Sequence, residues 1–358
     1  MARGLSMHIG ILTGGGDCPG LNAVIRAVTL ALIHDCGARV SGIRRGFLGL
    51  ITGDLVPLDA AAVAGILAQG GTILGTHNRC DPFHYFGAGG GDVSGPVLDN
   101  ARALGLDGLV VIGGDGTMAI AHKLHQRGLP VVGVPKTIDN DLCHTDRSFG
   151  FDSAVAVVAE ALDRLETTAR SHGRVMIAET MGRYAGWIAL EGGMAGGADV
   201  ILLPEVPWSL DVVAAHCRAR EQREGCTLIC IAEGAHAAGA GLSVAQTIAD
   251  SPDPLRLGGV GALLAHQLQP LIHSEVRATQ LGHVQRGGAP TPFDRVLATR
   301  FGWHAAQQVR AGRWGGMVTL EGDRLGVAPL DTVAGRSRPV PADAPLLAAA
   351  RALGICLG

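Results

Sequence analysis

The sequence predicts an α/β enzyme of two lobes with mainly parallel sheets, with the active site in the cleft between them, and three observations carry that prediction. Short apolar runs bounded by glycine recur at residues 9–12, 109–112, 131–134, 175–178, 200–203 and 228–232. They alternate with segments of helical period at 21–33, 119–126, 152–168 and 210–224, the rhythm of parallel strands covered on both faces by helices. Strand-then-glycine loops cluster before residue 150 and again after 175, with the 152–168 helix between them, and 358 residues suffice for two domains. Ligands in such sheets gather at the loops after the carboxyl ends of strands, so those loops are the places to look for chemistry.

The first loop, Thr13-Gly14-Gly15-Gly16-Asp17-Cys18-Pro19-Gly20, leaves strand 9–12 and enters helix 21–33. Its glycines let backbone N–H groups crowd an anion, and the helix start adds its dipole. A tight turn without a ligand explains the same residues, because the P-loop spacing is absent and Pro19 spoils a dinucleotide fingerprint.

A second loop, Gly113-Gly114-Asp115-Gly116-Thr117, follows the very apolar run 109–112. A carboxylate among glycines at a strand end calls for a cation or hydrogen-bond donors. Gly114, Gly116 and Ala119 also satisfy a loose dinucleotide pattern, which keeps a nicotinamide-dependent oxidoreductase open as an alternative, although no acid ends a second strand about 20 residues on.

The third segment, Pro135-Lys136-Thr137-Ile138-Asp139-Asn140-Asp141, places two carboxylates two residues apart behind a hydroxyl and a lysine. That combination can supply a general base, a neighbour that tunes it, and charge for a phosphate and a metal; a solvated turn is the bland alternative. A fourth set comprises Arg174, Met181-Gly182-Arg183, Glu233, Arg277 and His283-Val284-Gln285-Arg286-Gly287-Gly288. Singly each arginine reads as a surface cation, whereas together they can clamp a phosphate dianion through bidentate forks.

Composition narrows the partners. The net charge of −3 excludes a dedicated nucleic-acid binder, whose phosphate contacts need a strongly basic face. Only Lys123 and Lys136 among the 29 basic residues are lysines; Lys123 reads as a solvated helix residue. No uninterrupted apolar run of spanning length occurs, and the first ten residues have no secretory pattern, so the expected location is cytoplasmic. Eight scattered cysteines without a CxxC pair read as reduced thiols, with no structural zinc site. Residues 87–91 read as a flexible surface loop, and 336–345 as an irregular segment before a short helix over 346–353.

With those residues in view, the chain strongly resembles the 6-phosphofructokinase family. GGDCPGLNAVIR (15–26), RGFLGL (45–50), GGTILGTHNR (70–79), VVIGGDGT (110–117), PKTIDNDL (135–142), DRLETTARSHGR (163–174), ETMGRYAGW (179–187) and VRATQLGHVQRGG (276–288) occur in family order across most of residues 7–305. The resemblance implies two Rossmann-like lobes, one for nucleotide and metal (1–150 plus 285–335) and one for fructose 6-phosphate (151–284 plus 336–358). It implies transfer of the terminal phosphoryl of ATP to the sugar 1-hydroxyl, with Mg²⁺ as cofactor, and places the chain in glycolysis.

Residue by residue, the resemblance implies a nucleotide-phosphate site of Gly15, Arg79, Cys80, Gly114, Asp115, Gly116 and Thr117, with Asp115 holding the metal. Asp139 is the implied base, flanked by Thr137 and Asp141, with Ile138 beside them; Arg183 and Arg79 would neutralise the transferring phosphoryl. Met181, Gly182, Arg183, Glu233, His283, Val284, Gln285 and Arg286 match the sugar-phosphate site. Arg174 and Arg277 match a pair reaching in from a neighbouring subunit, which implies a homodimer or homotetramer.

Two positions bear on the donor. Pyrophosphate-using members carry Asp where this chain has Gly116, which leaves room for the α-phosphate of ATP. Lys136 leans toward pyrophosphate, and a pyrophosphate-dependent phosphotransferase is the alternative. A binding-only regulatory subunit is disfavoured, because Asp115, Thr137, Asp139 and Arg183 occur together. Leu30 and Glu166 stand where effector-regulated relatives have arginine, and the effector-lysine region reads Glu224-Gly225-Cys226. A pocket with fewer cations binds phosphates poorly, so a weak or absent response to ADP and phosphoenolpyruvate is expected. Phe47 replaces a tyrosine common in relatives.

Overall fold

The computed structural model describes residues 7–223, 225–247 and 255–358, which leaves Glu224 of the effector-lysine reading outside the described residues. In chain order the elements are β1 (His8–Thr13), α1 (Leu21–Cys36), β2 (Arg39–Ile43), α2 (Phe47–Thr52), β3 (Leu55–Leu58), α3 (Ser94–Ala103), β4 (Gly108–Gly113), α4 (Asp115–Gln126) and β5 (Val131–Pro135). The second half of the chain continues with α5 (Phe151–His172), β6 (Val175–Thr180), α6 (Trp187–Ala195), β7 (Val200–Leu202), α7 (Leu210–Glu221), β8 (Thr227–Ala232), β9 (Val244–Thr247), β10 (Leu255–Leu257), α8 (Val260–Leu268) and β11 (Val276–Gln280). The chain closes with α9 (Pro292–Arg310), β12 (Gly316–Glu321), β13 (Arg324–Pro329), α10 (Leu330–Val333) and α11 (Pro345–Ala352).

The chain divides into two compact units. The first comprises Met1–Ile138, Leu142–Gly150 and Arg286–Ser337; the second comprises Asp139–Asp141, Phe151–Gln285 and Arg338–Gly358. A seven-stranded sheet of order β13-β12-β5-β4-β1-β2-β3 organises the first. Its five inner strands are parallel, while β3 and β13 pair antiparallel at the edges. β1, β4 and β5 are buried along their whole length, which is why they read as continuous apolar runs. Leu12, Val111, Met118, Leu124 and Met317 belong to the core on one side of this sheet.

In the second unit four parallel strands run in the order β11-β6-β8-β7, and β9 and β10 form a separate antiparallel pair. Val175, Ile177, Val200, Leu202, Ile229 and Ile231 pack with Trp208, Val213 and Leu264. Helix α5 obeys the same logic: Phe151, Ala154, Val158, Leu162 and Ala169 form its buried stripe at helical spacing. Its outer face carries the i,i+4 pairs Glu160–Arg164 and Glu166–Arg170, each at 2.7 Å, so the Glu166 of the effector reading is engaged locally.

The eight cysteines are all unbridged. Burial pushes the thiols of Cys18, Cys80, Cys217 and Cys230 up to about 12, so these four are packing groups at neutral pH. No helix among the described residues is long and apolar enough to cross a membrane.

Candidate functional site

In the first unit, β1, β4 and β5 lie side by side, with Thr13 paired to Ile112 and Gly113 to Pro135. Parallel neighbours bring their carboxyl ends together, so the first two predicted loops and the start of the third, through Ile138, lie on one side of this unit. Gly15 has φ 74°, a left-handed conformation that lets this turn fold back tightly. The loop is then held from outside: the Thr76 hydroxyl donates to the Gly15 carbonyl, and Arg286 Nη1 donates to the Asp17 carbonyl at 3.2 Å. Lys136 is 4% exposed and its ammonium donates to the Gly16 carbonyl. Two cations therefore brace the glycine loop at adjacent carbonyls.

Asp115 is the first residue of α4, exposed at the helix N-terminus, with Gly116 exposed beside it and Thr117 buried. A Cβ built on Gly116 meets nothing within 4 Å, so the backbone here faces open space. Arg79 is exposed, whereas Cys80 is buried and its thiol is a packing group. An aromatic group lies in the same segment. His77 stacks on Phe86 at 5.3 Å, and Phe83 lies under both Lys123 Nζ at 5.1 Å and the Arg127 guanidinium at 5.0 Å. Burial, then the charges of Arg79 and Arg45, hold His77 below the usual histidine range, so it is a neutral ring at pH 7. Lys123 is exposed as predicted, but its ammonium rests on an aromatic face as well as in solvent.

Thr137 and Ile138 are the last of the third predicted segment to lie in the first unit. The Thr137 carbonyl accepts from the Ser148 hydroxyl at 2.8 Å, and Ile138 is 1% exposed, a core side chain that can offer a ligand only its backbone.

The second unit builds its site at the carboxyl ends of β11, β6 and β8. Glu233 N–H donates to the Thr180 carbonyl at 2.8 Å, and Gly234 N–H to the Gly182 carbonyl at 3.1 Å. A Cβ at Gly234 would lie 2.0 Å from the Arg183 carbonyl oxygen, so only glycine lets the exit from β8 pass this close to the Arg183 loop. Arg183 and Glu233 are thereby set on neighbouring loops, both half-buried, and the Arg183 guanidinium lies 5.7 Å from the exposed Tyr184 ring. Beyond β11, His283 and Val284 are exposed. Gln285 is fully buried: its Oε1 accepts from Met181 N–H at 3.3 Å and its Nε2 donates to the Gly282 carbonyl at 3.0 Å. Gln285 therefore ties the 181–183 and 282–285 loops together and has no exposed atom to offer a sugar.

Arg174 and Arg277 lie at the other end of this sheet. Arg174 precedes β6 and Arg277 is second in β11, with Val276 paired to Val175. Glu275 bridges them, with Arg174 Nε at 2.5 Å and Arg277 Nη2 on its other oxygen. At about 3.3 Å per residue, the six residues of β6 put Arg174 roughly 20 Å from Met181, and the strand after Arg277 puts that residue about 10 Å from the carboxyl end of β11.

Asp139, Asn140 and Asp141 belong to the second unit. Asp139 and Asp141 are partly exposed, while Asn140 is buried with φ 52°. Two residues that the sequence did not single out hold this turn. Arg338 Nη2 donates to the Asn140 carbonyl at 2.8 Å, and Arg338 N–H donates to the Asp141 carbonyl at 2.7 Å. Trp187, whose ring lies 4.8 Å from the Arg338 guanidinium, donates from Nε1 to the Arg338 carbonyl at 3.0 Å. A further missed group is Glu179, 2% exposed, whose carboxylate accepts from Gly259 N–H, Gly261 N–H and Gln280 Nε2 at 2.8–3.0 Å.

The phosphofructokinase family description matches residues 8–309, which takes in every loop above up to Gly288. The chain belongs to the phosphofructokinase family. It is 46% identical over 355 residues to the ATP-dependent 6-phosphofructokinase 2 of Clostridium perfringens, covering 97% of each chain. It is 47% identical to the pyrophosphate–fructose 6-phosphate 1-phosphotransferase of Streptomyces coelicolor, covering 93% of this chain and 96% of that one. Among solved structures, the T-state phosphofructokinase of Pichia pastoris matches with a TM-score of 0.78 and 34% identity over 92% of this chain, and this chain spans about a third (35%) of it. Family membership overturns the oxidoreductase alternative. The Gly114–Gly116–Ala119 spacing comes from a loop that opens α4 on an acid, Asp115, and β5 runs on into Lys136 with no ribose-binding acid at its end.

Proposed function

We propose that the chain is an ATP-dependent 6-phosphofructokinase, transferring the terminal phosphoryl of ATP to the 1-hydroxyl of fructose 6-phosphate and releasing fructose 1,6-bisphosphate and ADP. The observation that carries the choice of donor is the open space in front of Gly116. Relatives of nearly equal identity are named for ATP and for pyrophosphate, so identity does not choose between them. A glycine facing open space beside Asp115 leaves room for the α-phosphate and the nucleoside attached to it. The second reading, pyrophosphate as donor, is favoured by Lys136. Against it, the Lys136 ammonium is already engaged on the Gly16 carbonyl, a contact that braces the loop whichever donor binds.

The first unit supplies the donor side. Gly15 and Gly114 to Thr117 offer backbone to the phosphates, with Arg79 as the exposed cation. Asp115 fits Mg²⁺: it is an exposed carboxylate with open space beside it, and this ion takes one or two carboxylates, keeps several waters and shares substrate phosphate oxygens. When bound, the ion neutralises charge on the phosphates.

The second unit supplies the acceptor side. Asp139 takes the proton of the sugar 1-hydroxyl as its oxygen attacks phosphorus, Asp141 and Thr137 flank it, and Arg183 meets the charge on the transferring phosphoryl. Glu233, Met181, Gly182 and His283 hold the sugar, with Arg286 braced on the donor loop. Arg174 and Arg277, remote from this end of their own sheet, serve the sugar phosphate of a neighbouring copy in a homodimer or homotetramer. The location is cytoplasmic.

Replacing the base tests the reading. Asp139→Ser is expected to cut kcat by roughly 10²–10⁴, the usual worth of a general base, with a smaller change in KM for fructose 6-phosphate. If sugar binding collapses while turnover survives, Asp139 is a binding residue and the assignment fails.

A further inference from the structure

The C-terminal segment after α10 carries no motif, yet it touches the turn that holds the proposed base. Asn140 adopts a left-handed conformation, one that Asn accepts more readily than other non-glycine residues. Residues 338–340 hold the turn around it. Arg338 closes on the Asn140 carbonyl through its guanidinium and on the Asp141 carbonyl through its N–H, and the adjoining Leu142 and Ser337 form an antiparallel bridge. The guanidinium is itself fixed by the Trp187 ring, whose Nε1 anchors the Arg338 carbonyl. Two residues on, Val340 N–H donates to Glu205 Oε1 at 2.7 Å, and that oxygen also accepts from Gly186 N–H at 2.9 Å. Gly186 and Trp187 end the loop that carries Arg183. One short strap thus grips both the turn behind Asp139 and the end of the Arg183 loop.

We propose that Arg338 is a positioning residue for phosphoryl transfer, fixing through the Asn140 and Asp141 carbonyls the turn that aims the Asp139 carboxylate at the acceptor hydroxyl. This rests on the reading of Asp139 as the base. Arg338 acts on where that carboxylate points, and misplacement by about 1 Å costs on the order of 100-fold in rate. Sugar affinity, set by Glu233 and His283, is unaffected. A guanidinium lying over an indole is also something lysine does not replace, since it offers a point charge without the planar face.

A double-mutant cycle on kcat separates positioning from simple scaffolding. Arg338→Met is expected to lower kcat by about 10- to 100-fold with KM for fructose 6-phosphate within about threefold of wild type, and Arg338→Lys to recover only part of the loss. In an Asp139→Ser background, Arg338→Met should change kcat by less than about twofold, because there is no carboxylate left to aim. If the two losses multiply instead, Arg338 is scaffold and the inference is wrong. Wild-type kcat in Arg338→Met overturns it equally. If Arg338→Met fails to fold, Trp187→Phe, which keeps a ring and removes only the donor to the Arg338 carbonyl, is expected to show the same non-additivity, and additivity there overturns the inference. Full turnover in Asp139→Ser alone would remove the base assignment itself and this inference with it, an outcome distinct from additivity.

Discussion

At the scale of single residues, the donor question reduces to one missing side chain. Gly116 opens onto empty space, so the fold accepts a side chain there and only the ligand is affected. Gly116→Asp should leave the thermal midpoint unchanged while lowering kcat/KM for ATP about tenfold or more, since like charges about 4 Å apart repel by about 4 kcal/mol at an effective dielectric near 20. Parallel melting curves and ATP titrations check this; undiminished use of ATP would mean that the α-phosphate does not pass this glycine. Residue identity was legible where chemistry is local, as in the carboxylates of 139–141 and the acid at 115. It was not legible for Arg338, whose partner carbonyl lies 198 positions away in the chain. Nor did sequence separate Gln285, a buried tie between loops, from the exposed His283 two residues earlier.

At the scale of elements, the fully buried parallel strands were readable because both of their faces must be apolar, which gives β1, β4, β5, β6 and β8 an unbroken signature. β11 lacks it: as an edge strand of Val-Arg-Ala-Thr-Gln it is exposed from Arg277 onward, so its sequence reads as a polar loop. The β12–β13 hairpin went unseen for a related reason, its outer strand being mostly exposed or half-buried. The proposed sugar site depends on how closely two strand exits approach, and this is testable at Gly234. Gly234→Ala forces its Cβ against the Arg183 carbonyl, so the chain must shift at a cost of about 1–3 kcal/mol. A midpoint several degrees lower together with reduced kcat is expected in calorimetry and steady-state assays. An alanine variant with wild-type stability and turnover would show that the two loops are not held this tightly.

At the scale of the whole molecule, the far placement of Arg174 and Arg277 bears on the proposed assembly. Both lie toward the amino ends of their strands, about 20 Å of strand for Arg174 and about 10 Å for Arg277 from the carboxyl ends that lead into the predicted sugar loops. If they complete a neighbour's sugar-phosphate site, specific activity falls on dilution as subunits part, and excess fructose 6-phosphate opposes the loss by mass action. Activity measured against concentration, alongside sedimentation, tests this; constant specific activity in a demonstrated monomer would contradict it. The central claim, that one unit presents ATP and the other an acceptor sugar with its base, meets its most direct test in initial rates with a single phosphoryl donor and fructose 6-phosphate. Turnover with ATP to fructose 1,6-bisphosphate and ADP, with pyrophosphate slow or inert, is the predicted result, and turnover confined to pyrophosphate would contradict it.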